Sequence, residues 1–257
     1  MTTESLRVLT EEAEPGSIPR FVLRSWAERF GLTAGITARG AEPGRGFDVG
    51  LWGEQPVGEA MARWRRLRKS FVGFDALVMA HQVHGTRVLV HGAPASGWVI
   101  HEGADGHITP HAGLLLGVTV ADCTPIYLHD PRTGILCLLH AGWRGTAGGI
   151  LAHAVDLCVR QYGVRPTDLV MHCGASISGA EYEVGAEVFA ACGLAAPPGQ
   201  RGHLDVRRVL VAQAEALGVG EVTVSPWCTA RDAAQFHSHR RSGGRDGRML
   251  AFLGRSA

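Results

Sequence analysis

Apolar positions recur with two periods along this chain, and each period predicts its own set of elements. In 56–70, Val57, Met61, Trp64 and Leu67, with Phe71 just beyond, fall at helical spacing and leave the arginines of RWRRLRK (63–69) on the opposite, solvated face. Helices are also predicted over 146–161, 184–192 and 205–217, the last opened by Asp205 as N-cap and closed by Gly218. Runs rich in β-branched residues and leucine predict strands at 31–38, 75–84, 87–92, 114–121, 125–130, 134–140, 168–174, 221–225 and 249–254. Short connections interspersed with single helices predict an α+β fold of packed mixed β-sheets flanked by helices, rather than a regular βαβ repeat. The Gly/Pro-rich stretches at 41–46, 93–97 and 195–202 are too short for flexible linkers. One domain over 1–257 is therefore expected, with the polar, acidic residues 1–17 at its periphery.

Composition narrows the function classes. Of 257 residues, 46% are hydrophobic, which supplies a sizeable core and argues against disorder. A formal net charge of +1 gives no support for nucleic acid or an anionic membrane as the main partner. No apolar run approaches the roughly 20 residues of a membrane span, and the polar N-terminus carries no apolar signal segment. No GxGxxG follows the first predicted strand, so a dinucleotide fold has nothing behind it. The six cysteines form no CxxC and no tight cluster, which predicts reduced thiols and a cytoplasmic setting.

Thirteen histidines raise the question of a metal. Most, such as His91, His111, His153 and His203, read as ordinary core or surface hydrogen-bonders. His84, Cys123 and His140 stand apart because each ends a predicted strand and meets small residues or a turn. Strand ends give rigid backbones, and small neighbours leave room above an ion. His81 and His84 are three apart, so on a strand they face opposite ways. One thiolate and two imidazoles make a reasonable zinc set with a fourth position open. Ligands so far apart carry no local signature, so spacing alone leaves this set weakly marked. Cys137 and Cys158, inside a predicted strand and helix, read as small core hydrophobes.

The blocks QVHGTRV (82–88), VADCTPIYLHD (120–130), HAGWRG (140–145), YEVG (182–185), CT (228–229), SHRR (238–241) and GRM (247–249) resemble the laccase-domain, or YfiH-like, family, whose members are also called polyphenol oxidases or purine nucleoside phosphorylases. The resemblance implies that His84, Cys123 and His140 are zinc ligands, the set the strand-end argument picks, in a single α+β domain. Three segments depart from the family pattern: 39–52, where Arg39 is followed by Gly40-Ala41 and an Asn-Leu pair is missing; 174–178, a degraded Gly-Pro-x-Ile-Gly turn; and 237–241, where His239 replaces a tyrosine.

Around the metal set, Arg144 is a candidate clamp for phosphate or carboxylate, backed by the N-terminus of a helix expected to begin near Thr146. Trp143 is expected to pack as a structural residue. Arg39 is a second anion candidate and Arg241 a third. Asp122, beside Cys123, is expected either to orient a ligand imidazole or simply to cap its turn. His237 and His239 would share a face if their run is a strand.

The resemblance implies phosphorolysis of adenosine, inosine or methylthioadenosine and deamination of adenosine, with purine nucleoside and phosphate as partners. The catalytic set would be Arg39, Asp122, Cys123 and Arg144. An open Zn²⁺ would activate water for attack at the purine C6. Copper-dependent phenol oxidation is the alternative, since a Cys/His/His site also binds Cu²⁺, but a single His-x-His is short of multicopper ligand pairs. A third reading is a zinc amidase editing a cell-wall precursor, which would need a long open groove. A purely structural zinc is the least committal reading, and it calls for a closed site.

Overall fold

The computed structural model describes residues 6–52, 55–195 and 197–257. Its strands run β1 (Glu12–Glu14), β2 (Arg20–Val22), β3 (Thr33–Thr37), β4 (Ala76–His81), β5 (Val88–Val90), β6 (Gly97–Glu102), β7 (Gly106–Thr109) and β8 (Leu114–Val120). They continue with β9 (Thr124–His129), β10 (Leu136–Ala141), β11 (Val170–Cys173), β12 (Glu183–Gly185), β13 (Arg201–His203), β14 (Glu221–Val224) and β15 (Met249–Gly254). The helices are α1 (Arg24–Phe30), α2 (Val57–Ser70), α3 (Trp143–Ala147), α4 (Ile150–Tyr162), α5 (Ala186–Ala191), α6 (Val206–Ala216) and α7 (His239–Ser242).

Two mixed sheets carry the fold. One has seven strands in the order β1-β2-β3-β15-β8-β4-β6, the other six in the order β14-β11-β9-β10-β7-β5. Three apolar clusters show how they stack. Leu77, Met79, Leu250 and Phe252 on the outer face of the seven-stranded sheet bury Ala60, Trp64 and Leu67 of α2. Val78, Leu116, Val118 and Ala251 of that sheet meet Leu136, Leu138 and Tyr127 of the other, which makes the interlayer. On the far face, Ile126, Cys137, Leu139 and Met171 bury Leu151, Val155 and Cys158 of α4 with Leu210 and Ala214 of α6. The order is helix, sheet, sheet, helices. Strand alternation requires this, because successive side chains of a strand buried on both faces serve two different cores. At about 1.5–3 kcal/mol for each large apolar side chain buried, these layers dominate stability.

α2 and α6 lie where helical spacing places them. Asp205 caps α6 by accepting from the Arg207 N–H at 3.0 Å, and Gly218 takes the left-handed φ of +76°. The helix predicted over 146–161 is instead two, α3 and α4, separated at Gly148-Gly149, where Gly149 has φ +81°. Residues 6–17 are more than peripheral. Val8 bridges to Val224, β1 pairs with β2, and Glu11 is fully buried, accepting from Ala175 N at 2.9 Å and Ser225 Oγ at 2.5 Å and lying 3.2 Å from His172 Nε2. A buried carboxylate with long-range partners looks like a surface acid in the linear sequence; residues 1–5 lie outside the described residues. β6 and α1 were not predicted either. β6 is an edge strand exposed along much of its length, so its hydropathy never resembled a core strand.

Candidate metal centre

Three chain segments reach the same end of the layered sheets. After β4, Gln82 anchors itself to β8 through Nε2 to Thr119 O at 2.8 Å and the return bond from Thr119 N at 2.7 Å. The next residues turn sharply, with His84 at φ +59°. The turn is held because the N–H groups of Val83, His84 and Gly85 all donate to the Asp105 carboxylate, at 3.2, 2.9 and 2.7 Å. Between β8 and β9 the chain passes from one sheet to the other through Asp122, at φ +85°, and Cys123. His140 lies on β10, its N–H donating to Asp105 O at 2.7 Å and its Nδ1 lying 2.9 Å from Asp105 Oδ1.

These folds bring one donor atom each from His84, Cys123 and His140 within 4.8 Å of one another. Gly142 keeps the space beside this cluster free: a Cβ there would lie 2.9 Å from Cys123 Sγ and 3.5 Å from His84 Cδ2. Asp105 takes the Nδ1 side of His140, which leaves Nε2 for the ion. Burial alone would raise the Cys123 thiol, but His140 and His84 outweigh it by charge and hydrogen bonding and bring it down. Burial likewise opposes the His140 imidazolium, yet the Cys123 thiolate and Asp105 raise it. A thiolate beside imidazoles, with a carboxylate behind, suits a divalent ion of borderline softness. His140 is buried, Cys123 half-buried and His84 exposed, so the cluster has one face open to a cavity of about 640 Å³.

The remaining predicted residues divide. Arg144 lines the cavity with its guanidinium 4.4 Å from the Trp143 ring centre, and it makes no ion pair among the described residues. Trp143 packs against the cluster of Val184, Val188 and Leu204. The helix behind Arg144 starts at Trp143, not near Thr146, and has five residues, too short for the expected anion-binding terminus. Arg39 does not line the cavity; it pairs with Asp246 and donates from Nε to Phe236 O at 3.4 Å. Arg241 donates to Ala230 O at 3.3 Å, also away from the cavity.

Asp122 bonds no imidazole among the described residues. Its carboxylate accepts from Thr229 Oγ1 and from Arg240 N, both at 2.6 Å, and so ties the Cys123 turn to two distant loops. The imidazole-orienting place belongs to Asp105, which the sequence reading missed because nothing in linear spacing joins it to His140. His237 and His239 do not share a face, since Ser238 caps α7 between them. His237 is buried with Nδ1 2.7 Å from Asp246 Oδ1, whereas His239 is exposed and lines the cavity. The segment 174–178 backs the Asp122-Cys123 turn through Ile177 N to Asp122 O at 3.0 Å. Also unforeseen, the half-exposed Trp52 stacks on His81 at 4.8 Å and 25° on the cavity wall, and Arg240 lies over Tyr182 at 4.7 Å.

Two stacked mixed sheets with a Cys/His/His cluster where the chain crosses between them define an α+β protein with a candidate metal centre at the sheet ends. Residues 40–256 match the family described as multi-copper polyphenol oxidoreductase laccase, and the chain belongs to that laccase-domain family. It is 36% identical to a purine nucleoside phosphorylase of Deinococcus radiodurans, over 88% of this chain and 87% of that protein. It is 34% identical to the purine nucleoside phosphorylase YlmD of Geobacillus stearothermophilus, over 91% of this chain and 94% of that one. The crystal structure of YlmD from Geobacillus stearothermophilus superposes with a TM-score of 0.85 at 30% identity, covering 96% of this chain and all of that one. The Bacillus licheniformis hypothetical protein YfiH superposes with a TM-score of 0.80 at 26% identity, over 91% and 96% of the two chains. No helix among the described residues is long and apolar enough to cross a membrane.

Proposed function

We propose that this chain is a metal-dependent purine nucleoside phosphorylase with adenosine deaminase activity at the same centre. The observation that carries the reading is the open Cys/His/His cluster sharing its cavity with Arg144, a guanidinium without an acidic partner among the described residues. Relatives named purine nucleoside phosphorylases that align over most of their length support the substrate class.

His84, Cys123 and His140 would hold the ion. A divalent ion there would supply Lewis acidity and lower the pKa of water, chemistry suited to deamination at the purine C6. In phosphorolysis, a phosphate oxygen bonds to the ribose C1′ as the C1′–N9 bond breaks, and the bonding pair leaves with the purine, which takes up a proton at N9. Arg144 holds the phosphate, for a guanidinium matches two phosphate oxygens at once. Trp52, stacked on His81, offers a flat face to the base. Asp105 and Asp122 are positioning residues: one fixes the His140 ring, the other binds the Cys123 turn to the Arg240 loop.

A cavity of about 640 Å³ lies in the range for compact organic ligands, which favours a nucleoside over a cell-wall peptide that needs a long groove. The copper reading concerns which ion occupies the cluster, and metal analysis of protein purified without added copper separates the two. The activity test incubates metal-loaded protein with adenosine or inosine and phosphate. Adenine or hypoxanthine together with ribose 1-phosphate is expected; products no higher than those of His140→Ala sink the proposal.

A further inference from the structure

Outside the Cys/His/His cluster, the cavity rim carries a second set of side chains whose supports run straight into the sheet. Along β4, Leu77 and Met79 enter the core under α2, while Val78 enters the interlayer. His81, two residues past Met79, continues the α2 side. β6 runs parallel to β4, and its register sets Trp98 against Leu77 and Glu102 against His81. The last pair of that row meets across the strands, with His81 Nδ1 2.6 Å from Glu102 Oε1. An ionised carboxylate only accepts, so Nδ1 carries the proton and the imidazole plane is fixed. Trp52, from the loop between β3 and α2, lies on that imidazole, with ring centres 4.8 Å apart and planes 25° from parallel.

Little else holds Trp52. Its loop is tied at Gly50, whose N–H donates to Asp48 Oδ1 at 2.8 Å and whose carbonyl accepts from Gln55 Nε2 at 2.5 Å. The indole N–H has no hydrogen-bond partner among the described residues, so packing sets the ring plane. With 48% of its surface exposed, Trp52 rests one face on the imidazole and turns the other to the cavity that both residues line. Glu102 and His81 are thus the route by which the sheet fixes a loop side chain: the carboxylate holds the imidazole, and the imidazole holds the indole. A flat aromatic face fixed in this way receives another ring. Stacking of a nucleobase on an aromatic side chain is worth about 5- to 150-fold in affinity, and it needs neither a metal nor a sugar.

We propose that Glu102 and His81 are positioning residues that hold Trp52 as the base-docking face of the cavity, and that this subsite binds the purine ring by itself, without metal, phosphate or ribose. The inference rests on the purine nucleoside reading of the cavity. The free purine that phosphorolysis releases is then a ligand in its own right, and binding of the base is separate from the chemistry at the ion. Losses at Trp52, His81 or Glu102 fall on KM and leave kcat within about twofold, as expected for a contact made equally in the ground and transition states.

The test titrates hypoxanthine into metal-free, full-length protein and follows indole fluorescence together with equilibrium dialysis. Saturable quenching is expected in the wild type, and Trp52→Leu should remove it and weaken binding by about tenfold or more. His81→Ala and Glu102→Ala should each weaken binding by about three- to tenfold, with circular dichroism unchanged. His81→Phe, which keeps a flat ring without Nδ1, should restore most of the loss, and Glu102→Ala should cost nothing further in the His81→Phe background. That pattern separates support carried through the ring from a general structural role. The inference fails if the wild type does not bind hypoxanthine, if Trp52→Leu binds it as well as the wild type does, or if Glu102→Ala is equally costly in the His81→Phe background. Turnover of inosine with phosphate distinguishes the two readings: ribose 1-phosphate formed with a KM untouched by Trp52→Leu overturns this inference alone, and hypoxanthine binding without ribose 1-phosphate overturns the phosphorylase alone.

Discussion

The cavity wall that carries His84, Cys123 and His140 is made of strand ends and the turns that leave them, while the facing wall, with His239, Arg240 and Arg248, is made of the short helix α7 and loops. The first wall takes its positions from the sheet hydrogen bonds, with Asp105 tying the ends of β4 and β10 together. The second has no ladder behind it. Its shape comes from carboxylates: Asp48 accepts from Arg248 N at 2.8 Å, Asp122 from Arg240 N, and Asp246 from Ser238 N at 2.9 Å and from Arg39. A metal centre needs donors fixed to fractions of an ångström, and the regular elements supply that. A wall that admits a substrate tolerates more freedom, and a few charged cross-links suffice.

The contrast can be broken most severely at the ligands. Cys123→Ser or His140→Ala should lower metal affinity by at least about a hundredfold, since even outer-shell losses cost about 10–100-fold; equilibrium dialysis reads this directly, and an unchanged affinity would remove these residues from the ligand set. Asp105→Asn comes next, about 10–100-fold in metal affinity, accompanied by a fall in the unfolding midpoint because the turn at 83–85 loses a charged acceptor. On the other wall, Arg144→Ala should raise KM for phosphate by about tenfold or more, equivalent to about 1.5–3 kcal/mol for hydrogen bonds to a charged group, with metal content untouched; Arg144→Lys should recover only part of it.

The smallest effect is expected where a loop cross-link is cut. Asp246→Asn should raise KM a few-fold and leave metal binding alone. Burial works against the Asp246 carboxylate, but His237, the Ser238 and Gly247 N–H groups and their field outweigh it and hold its pKa below the usual range. A depressed folded pKa means its contribution to stability is complete above about pH 4 and fades as pH falls through the folded value. Unfolding curves of wild type and Asp246→Asn should therefore stay a constant interval apart near neutral pH and converge only in acid; a gap that widens in acid would overturn the assignment.

The same division decides what the linear sequence could show. His84, Cys123 and His140 were marked only weakly, by predicted strand ends that meet small residues or a turn, whereas α2 and α6 were marked strongly because helical spacing and an Asp205 cap are local. Asp105, Glu11 and Asp246 were not marked, because each acts through partners many positions away. Arg39 looked like an anion ligand for the same reason: its acid, Asp246, is invisible from position 39. The break at Gly148-Gly149 was hidden because apolar periodicity runs straight through a single left-handed residue.

One consequence follows from Cys123 sitting where the chain crosses from one sheet to the other. His84 lies in the turn after β4 of the seven-stranded sheet and His140 on β10 of the six-stranded one, so an ion held by both would bridge the interlayer. Shear of one sheet over its neighbour would then stretch the coordination bonds, and a tighter apolar seam between them would stiffen the ligand cage. If an ion binds there, its retention and the rigidity of the interlayer become one mechanical property, measured from two ends.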